Sequence, residues 1–256
     1  MAPVSIRYHF AMARTDTPPA ELIARARNLD WYHTLELAPD LVTDGWFDLR
    51  AYVRHYGLPD RMEGMRALEV GTWDGFWAFE MERRGAEVVA IDLDDERDLD
   101  WPPRRRPTTF RDRPRGEGFR LARELLGSNV ERVDCSIYHA TPEELGTFDL
   151  VFCGTVLIHL RDQLLALERI ANLCSGTFIS AEEYDRLSAL VPFPVSRYRA
   201  DRDSDVVFWQ PSARTWKRML SSAGFDRVEE QARFKMRSRD GWSVRHIVLH
   251  GRKPGA

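Results

Sequence analysis

The chain has 256 residues, 43% hydrophobic and 30% charged, the composition of a folded globular protein with enough chain for a sizeable core. With 37 basic against 40 acidic side chains the net charge is −3, so no basic surplus draws it to nucleic acid or anionic membrane. The longest apolar stretch, 148–160, is broken by Asp149, Gly154 and His159, residues 1–14 lack the apolar core of a signal peptide, and Cys135, Cys153 and Cys174 lack CxxC spacing. A cytoplasmic protein with reduced core cysteines, no membrane span and no zinc site is expected.

In chain order, Pro18-Pro19 opens a helical pattern (Leu22, Ile23, Ala26, Leu29), and 48–56 reads as a second helix stopped by Gly57 and Pro59. Residues 1–60 are therefore expected to form a helical extension or lid. From residue 66 the apolar period alternates between short β-rich runs and helices: strand 67–70, helix 76–84 closed by Gly85, and strand 88–91. The Pro/Arg-rich stretch 101–115 can be only a loop. Helix 119–126, strands 130–133 and 148–152, helix 162–172 and strand 177–180 continue the alternation. Residues 182–211, without period and containing Pro192 and Pro194, suit a cap above the carboxyl edge of the sheet. Helix 212–223, stopped by Gly224, precedes two alternating runs, 228–234 and 244–249, joined through Asp240-Gly241. The expected fold is α/β: over 61–256, a Rossmann-like, mostly parallel seven-stranded sheet with an antiparallel C-terminal hairpin.

Chemistry concentrates after the first strand of that alternation, where Glu69-Val70-Gly71-Thr72-Trp73-Asp74-Gly75 makes a glycine-bracketed strand-to-helix turn that a ligand can approach. A dinucleotide fingerprint would need glycine where Trp73 and Phe76 stand, and no Walker lysine follows. About twenty residues on, the next strand ends at Asp92, a carboxylate able to accept both hydroxyl protons of a ribose, with Leu93 beside it. Two carboxylates, Glu69 and Asp92, with no basic residue in the turn suit a cationic adenosine lacking phosphates, which describes S-adenosylmethionine.

These motifs make the segment from 66 to 253 similar to the class I S-adenosylmethionine-dependent methyltransferases. The resemblance implies that 69–75 cradles the methionine part, that Ser136 and Ile137 face the adenine, and that Gly154 and Thr155 lie beside the sulfonium. Trp73 departs from the glycine usual in the family. A finer likeness, carried by Val156-Leu157-Ile158-His159-Leu160-Arg161, by Phe208-Trp209-Gln210-Pro211-Ser212 with Trp216, and by the ending Arg252-Lys253-Pro254, is to the subgroup around the tRNA wobble-uridine carboxymethyltransferase. That subgroup's tyrosine and arginine clamp for a carboxylated cofactor falls at Ile158 and His246, neither a strong carboxylate binder, so ordinary S-adenosylmethionine is implied.

His159 suits either a general base for a hydroxyl acceptor or a structural histidine near the helix start at Asp162. Glu182, Glu183 and Tyr184 follow the fifth strand where substrate contacts belong, and Arg197, Arg199, Arg202 and Trp209 lie in the cap. Trp31, Tyr32, His33, Trp46 and Phe47 either close over a substrate or pack the extension onto the sheet, packing being the commoner use of large aromatics. The expected activity is methyl transfer to a small-molecule acceptor, foremost an oxygen. The alternatives are a tRNA-modifying transferase and a non-catalytic cofactor-binding module.

Overall fold

The computed structural model describes residues 19–201 and 206–253, so Pro18, Arg202 and Pro254 lie outside the described residues. The extension starts as expected with α1 (Ala20–Arg27), which leans Ala26, Leu22 and Ile23 on the core. It continues not as helix but as a two-stranded hairpin, β1 (Glu36–Ala38) and β2 (Leu41–Val42). Only a single 3-10 turn, Val53–His55, forms where the second helix was expected. The cause is visible in the burial pattern: Leu41, Thr43, Gly45, Phe47 and Leu49 are buried in strict alternation, a period of two that demands extended chain. Too few residues then remain before Gly57 for a stable helix.

The sheet comprises β3 (Arg66–Val70), β4 (Glu87–Asp92), β5 (Glu131–Asp134), β6 (Phe148–Gly154), β7 (Cys174–Glu183), β10 (Arg227–Arg237) and β11 (Ser243–Arg252), in the spatial order β5-β4-β3-β6-β7-β11-β10. Neighbours from β5 through β7 pair in parallel, whereas β11 is antiparallel to both β7 and β10. Crossovers run through α2 (Phe76–Arg83), α3 (Glu117–Leu126), the short α4 (Pro142–Leu145), α5 (Gln163–Leu173) and α6 (Ala213–Ser222). The cap carries its own hairpin, β8 (Ser196–Tyr198) against β9 (Trp209–Pro211).

Local chemistry places the helix ends. Asp162 caps α5 by accepting from Leu165 N at 3.0 Å, and Ser212 caps α6 by accepting from Thr215 N at 3.1 Å. Each sheet face has its core. Leu68, Val70, Val151, Phe178 and Ile247 meet α5 and α6 on one face. On the other, Ala67, Ala90, Leu150, Phe152 and Val248 meet α2, α3 and the extension. The edge strand β10 alternates charged and apolar residues and has a register shift between Glu230 and Ala232, features that oppose edge-to-edge aggregation. Strand order reverses between β3 and its neighbours β4 and β6, which opens a crevice beyond their carboxyl ends. The extension lies over that side.

Candidate active site

The turn between β3 and α2 is built by its own side chains. Glu69 is buried at the end of β3 and accepts from Thr72 Oγ1 at 2.5 Å and from Ala78 N at 2.9 Å, tying strand, turn and helix together. Burial pushes its carboxyl up to about 8. Gly71 adopts φ +76°, and a Cβ there would come within 2.3 Å of Val156 Cγ2, so only glycine lets the loop after β6 close on this turn. Gly75, at φ +90°, starts α2. Trp73 is one of two non-glycine residues described at positive φ, +47°, the other being Thr155 at +52°; both border the crevice, where such strain is characteristically stored.

Asp92, at the carboxyl end of β4, accepts from Trp73 N with Oδ2 and from Leu93 N with Oδ1, both at 2.8 Å. Each oxygen keeps a further lone pair for a ribose hydroxyl, so the donor set fits an adenosine cofactor. The turn itself carries no basic residue, as read from the sequence, but the fold brings one to its side: Arg115, from the loop 101–115, lays its guanidinium 4.1 Å from the Trp73 ring centre and 3.8 Å from Asp92 Oδ1. Trp73 also meets Tyr32, ring centres 4.9 Å apart. Ser136 starts the turn after β5, where its hydroxyl accepts from Tyr138 N, and Ile137 packs into the core beneath.

A second cluster joins the extension to the turn. Asp74 is buried and its Oδ2 accepts from Tyr32 N at 2.6 Å and from His33 N at 3.0 Å. Burial pushes this carboxyl up to about 7, against the pull of those two donors. Beside it lies a cavity of about 30 Å³. The extension contributes Tyr32, His33, Phe47, Leu49 and Tyr56; Trp77 of α2, Met236 of β10 and the β6 edge, Gly154 and Thr155, complete the lining. Thr155 Oγ1 is 2.8 Å from His246 Nε2, and His246 is buried, its ring pushed down to about 4 and therefore neutral.

Several expected site residues stand elsewhere. His159, on the 3-10 turn Leu157–His159, is not in the cavity lining and sets its Nδ1 3.1 Å from the Val206 carbonyl. Nor does it cap α5, which Asp162 does. Glu182 does not reach outward: it is buried, with Oε1 accepting from Val156 N at 3.1 Å and Leu157 N at 3.0 Å, and so holds the loop after β6 in place. Tyr184 lies under the Arg233 guanidinium, Arg199 bonds Gln210 Oε1 at 2.8 Å, and Trp209 packs against Tyr198 within the cap hairpin. Asp74 was quoted only as part of the 69–75 turn, with no role toward the extension, and Arg115 and Met236 went unmarked in the sequence, because nothing local distinguishes them from solvated or core residues.

No curated protein sequence matches the chain. Among solved structures, the N-terminal domain of EvdMO1 with S-adenosylhomocysteine bound superposes with a TM-score of 0.60 at 20% identity, covering 96% of this chain and 100% of that one. In a longer EvdMO1 chain the match covers 91% of this chain and 47% of that one. The Burkholderia thailandensis 1,6-didemethyltoxoflavin-N1-methyltransferase gives a TM-score of 0.51 at 16% identity, covering 75% and 72%. YcgJ of Bacillus gives 0.55 at 12% identity, covering 81% and 98%. At these identities the likeness establishes the fold. The methyltransferase domain family matches residues 46–230, most of the sheet together with the end of the extension, and the chain belongs to that family of S-adenosylmethionine-dependent methyltransferases.

Proposed function

We propose that the protein transfers the methyl group of S-adenosylmethionine to an oxygen of a small-molecule acceptor held between the extension and the β6 edge. The observation that carries this is the cleft at Gly154 and Thr155, walled by Tyr32, Phe47 and Tyr56 of the extension and by Trp77, beyond the paired ends of β3 and β6 from which the Glu69–Gly75 turn departs. Aromatic walls at the strand ends suit a small organic acceptor; a nucleic acid would call for an open basic groove, and the net charge is −3. Two structural neighbours were solved with small molecules: the N-terminal domain of EvdMO1 in the presence of S-adenosylhomocysteine and D-fucose, and the toxoflavin methyltransferase with bound 1,6-didemethyltoxoflavin and S-adenosylhomocysteine.

When bound, the cofactor supplies an electrophilic methyl group on a cationic sulfur. Asp92 holds the ribose hydroxyls, with Leu93 at its side; Gly71, Thr72, Trp73 and Gly75 shape the turn that receives the methionine part; and Ser136 and Ile137 border the adenine. Glu69 braces this turn from within. Gly154 and Thr155 border the reacting centre. The extension acts as a lid that excludes water and orients the acceptor, which is the main service a protein can give an in-line displacement. The cap begins only after β7, because Glu182 and Glu183 still pair with β11; its described residues are 184–201 and 206–211. The cofactor is the ordinary form, because the positions of a carboxylate clamp hold Ile158, buried in the core, and His246, neutral and engaged with Thr155.

Calorimetric titration tests the site. S-adenosylmethionine and S-adenosylhomocysteine bind the parent, and Asp92→Ala weakens both, since each lost charge-assisted hydrogen bond costs about 1.5–3 kcal/mol, roughly 10- to 150-fold. Equal affinities would remove Asp92 from the cofactor site.

A further inference from the structure

Resting on the methyl-transfer function proposed above, we propose that Arg115 is a specificity-determining residue of the cofactor site: its fixed positive charge opposes the cationic sulfonium form, so that the site holds the neutral product S-adenosylhomocysteine at least as tightly as S-adenosylmethionine. The guanidinium reaches the ribose carboxylate from outside the turn, 3.8 Å from Asp92 Oδ1 and 4.1 Å from the Trp73 ring centre. It is firmly held there. Its Nε donates to the Leu93 carbonyl at 3.2 Å, its backbone N–H donates to the Asp94 carbonyl at 3.0 Å, and its side chain is 11% exposed. Leu93 and Asp94 directly follow Asp92, so the segment that presents the carboxylate also fixes the cation. The indole beneath is fixed too: Trp73 N donates to Asp92 Oδ2 at 2.8 Å, and tryptophan is the aromatic that holds a cation best.

The folded chain offers a cofactor less negative charge than its sequence implies. Glu69 and Asp92 read as two carboxylates that favour a cationic ligand, but burial pushes Glu69 up to about 8, so it keeps its proton at neutral pH. Asp74, pushed up to about 7 by burial, carries at most part of a charge there, and the nearby Arg115 guanidinium draws it down against that burial. Asp92 and Arg115 thus face one another as opposite charges at the point where the ribose is held, and the preference for a cation is cancelled.

S-adenosylmethionine and S-adenosylhomocysteine share the adenosine and the amino-acid part and differ by one methyl group and one positive charge on sulfur. Contacts to the shared parts cancel in the ratio of the two affinities, which leaves the sulfur. A single carbon joins it to the ribose, so charges placed at the ribose carboxylate act on it within the roughly 8–10 Å over which charges are felt at physiological salt. One unit charge about 10 Å away changes an affinity about 2-fold in a water-like dielectric and about 15-fold in a protein-like one. With both Asp92 and Arg115 nearly buried, the larger effect is the nearer one.

The test is calorimetric titration of the full chain with S-adenosylmethionine, S-adenosylhomocysteine and sinefungin, a stable analogue that carries an ammonium group in place of the methylated sulfur. The parent is expected to bind S-adenosylhomocysteine at least as tightly as either cation. Arg115→Gln should shift the affinity ratio toward both cations by about 3- to 15-fold, whereas Arg115→Lys, which keeps the charge, should stay within about twofold of the parent's ratio. A purely structural role of Arg115 moves all three affinities together and leaves the ratio alone. An unchanged ratio in Arg115→Gln therefore overturns the proposal, as does a parent that prefers the cations by about threefold or more. A shift for S-adenosylmethionine without one for sinefungin would trace to the methyl group and also overturn it. Failure of the parent to bind any of the ligands would instead overturn the methyl-transfer function itself. Where Arg115→Gln does not fold, the order of affinities in the parent decides.

Discussion

Asp74 holds the extension to the Glu69–Gly75 turn, and Asp74→Ala should release it. The carboxylate accepts two buried backbone N–H groups, from Tyr32 at 2.6 Å and His33 at 3.0 Å, and alanine leaves both unpaired. At about 1–3 kcal/mol for each buried donor, the loss is about 2–6 kcal/mol, provided water does not follow the extension as it opens. The cost falls on a local unit, because the sheet behind Asp74 is held by separate ladders and two large cores. Hydrogen exchange read by mass spectrometry is the assay. Peptides spanning residues 31–35 should lose protection by about 30-fold or more, from about 2 kcal/mol at 1.36 kcal/mol per decade, while β3 and β6 peptides stay unchanged. Asp74→Asn, which keeps the accepting oxygen, should lie between the two. Unchanged protection at 31–35, or a uniform loss across the sheet, would refute the assignment of Asp74 as the tether.

Other outcomes follow from the same geometry. Burial pushes the Glu182 carboxyl from its ordinary 4.5 up to about 8, so the folded chain keeps a proton that the unfolded chain releases. Stability from this group is fully present below pH 4.5 and is lost as pH rises through 8, by at most about 1.4 kcal/mol per pH unit. Denaturant melts of the parent and of Glu182→Gln, which keeps the carbonyl for Val156 N and Leu157 N, should show the parent losing ground to the variant from pH 5 to 8; a pH-independent difference would contradict this. In competition, mass spectrometry of the bound ligand should show no preference for carboxy-S-adenosylmethionine over S-adenosylmethionine, and a strong preference would reopen the tRNA-modifying alternative.

The sequence by itself determined the scaffold and the Glu69–Gly75 strand-to-helix turn. Alternating β-rich and helical periods located the strands of the sheet to within a few residues, because each strand must bury a face and each helix a stripe whatever its neighbours are. Glu69, Gly71, Gly75 and Asp92 were legible for the same reason: a tight strand-to-helix turn and a strand-end carboxylate are local features with fixed spacing. What the sequence did not decide is the acceptor side. It marked His159 and Glu182 by their nearness in the chain to strand ends, whereas the structure turns the first toward the Val206 carbonyl and the second inward to the Val156 and Leu157 amides. His33 stood among the extension's aromatics that either close over a substrate or pack onto the sheet, and only the fold ties its backbone to Asp74, 41 residues away, and sets it beside Thr155 in one lining. Arg115 likewise sat in a loop without period until folding laid it on Trp73. Helix and strand periods are written in contacts between near neighbours, but a cavity is made where segments distant in sequence meet, and only the packed chain fixes which side chains face it.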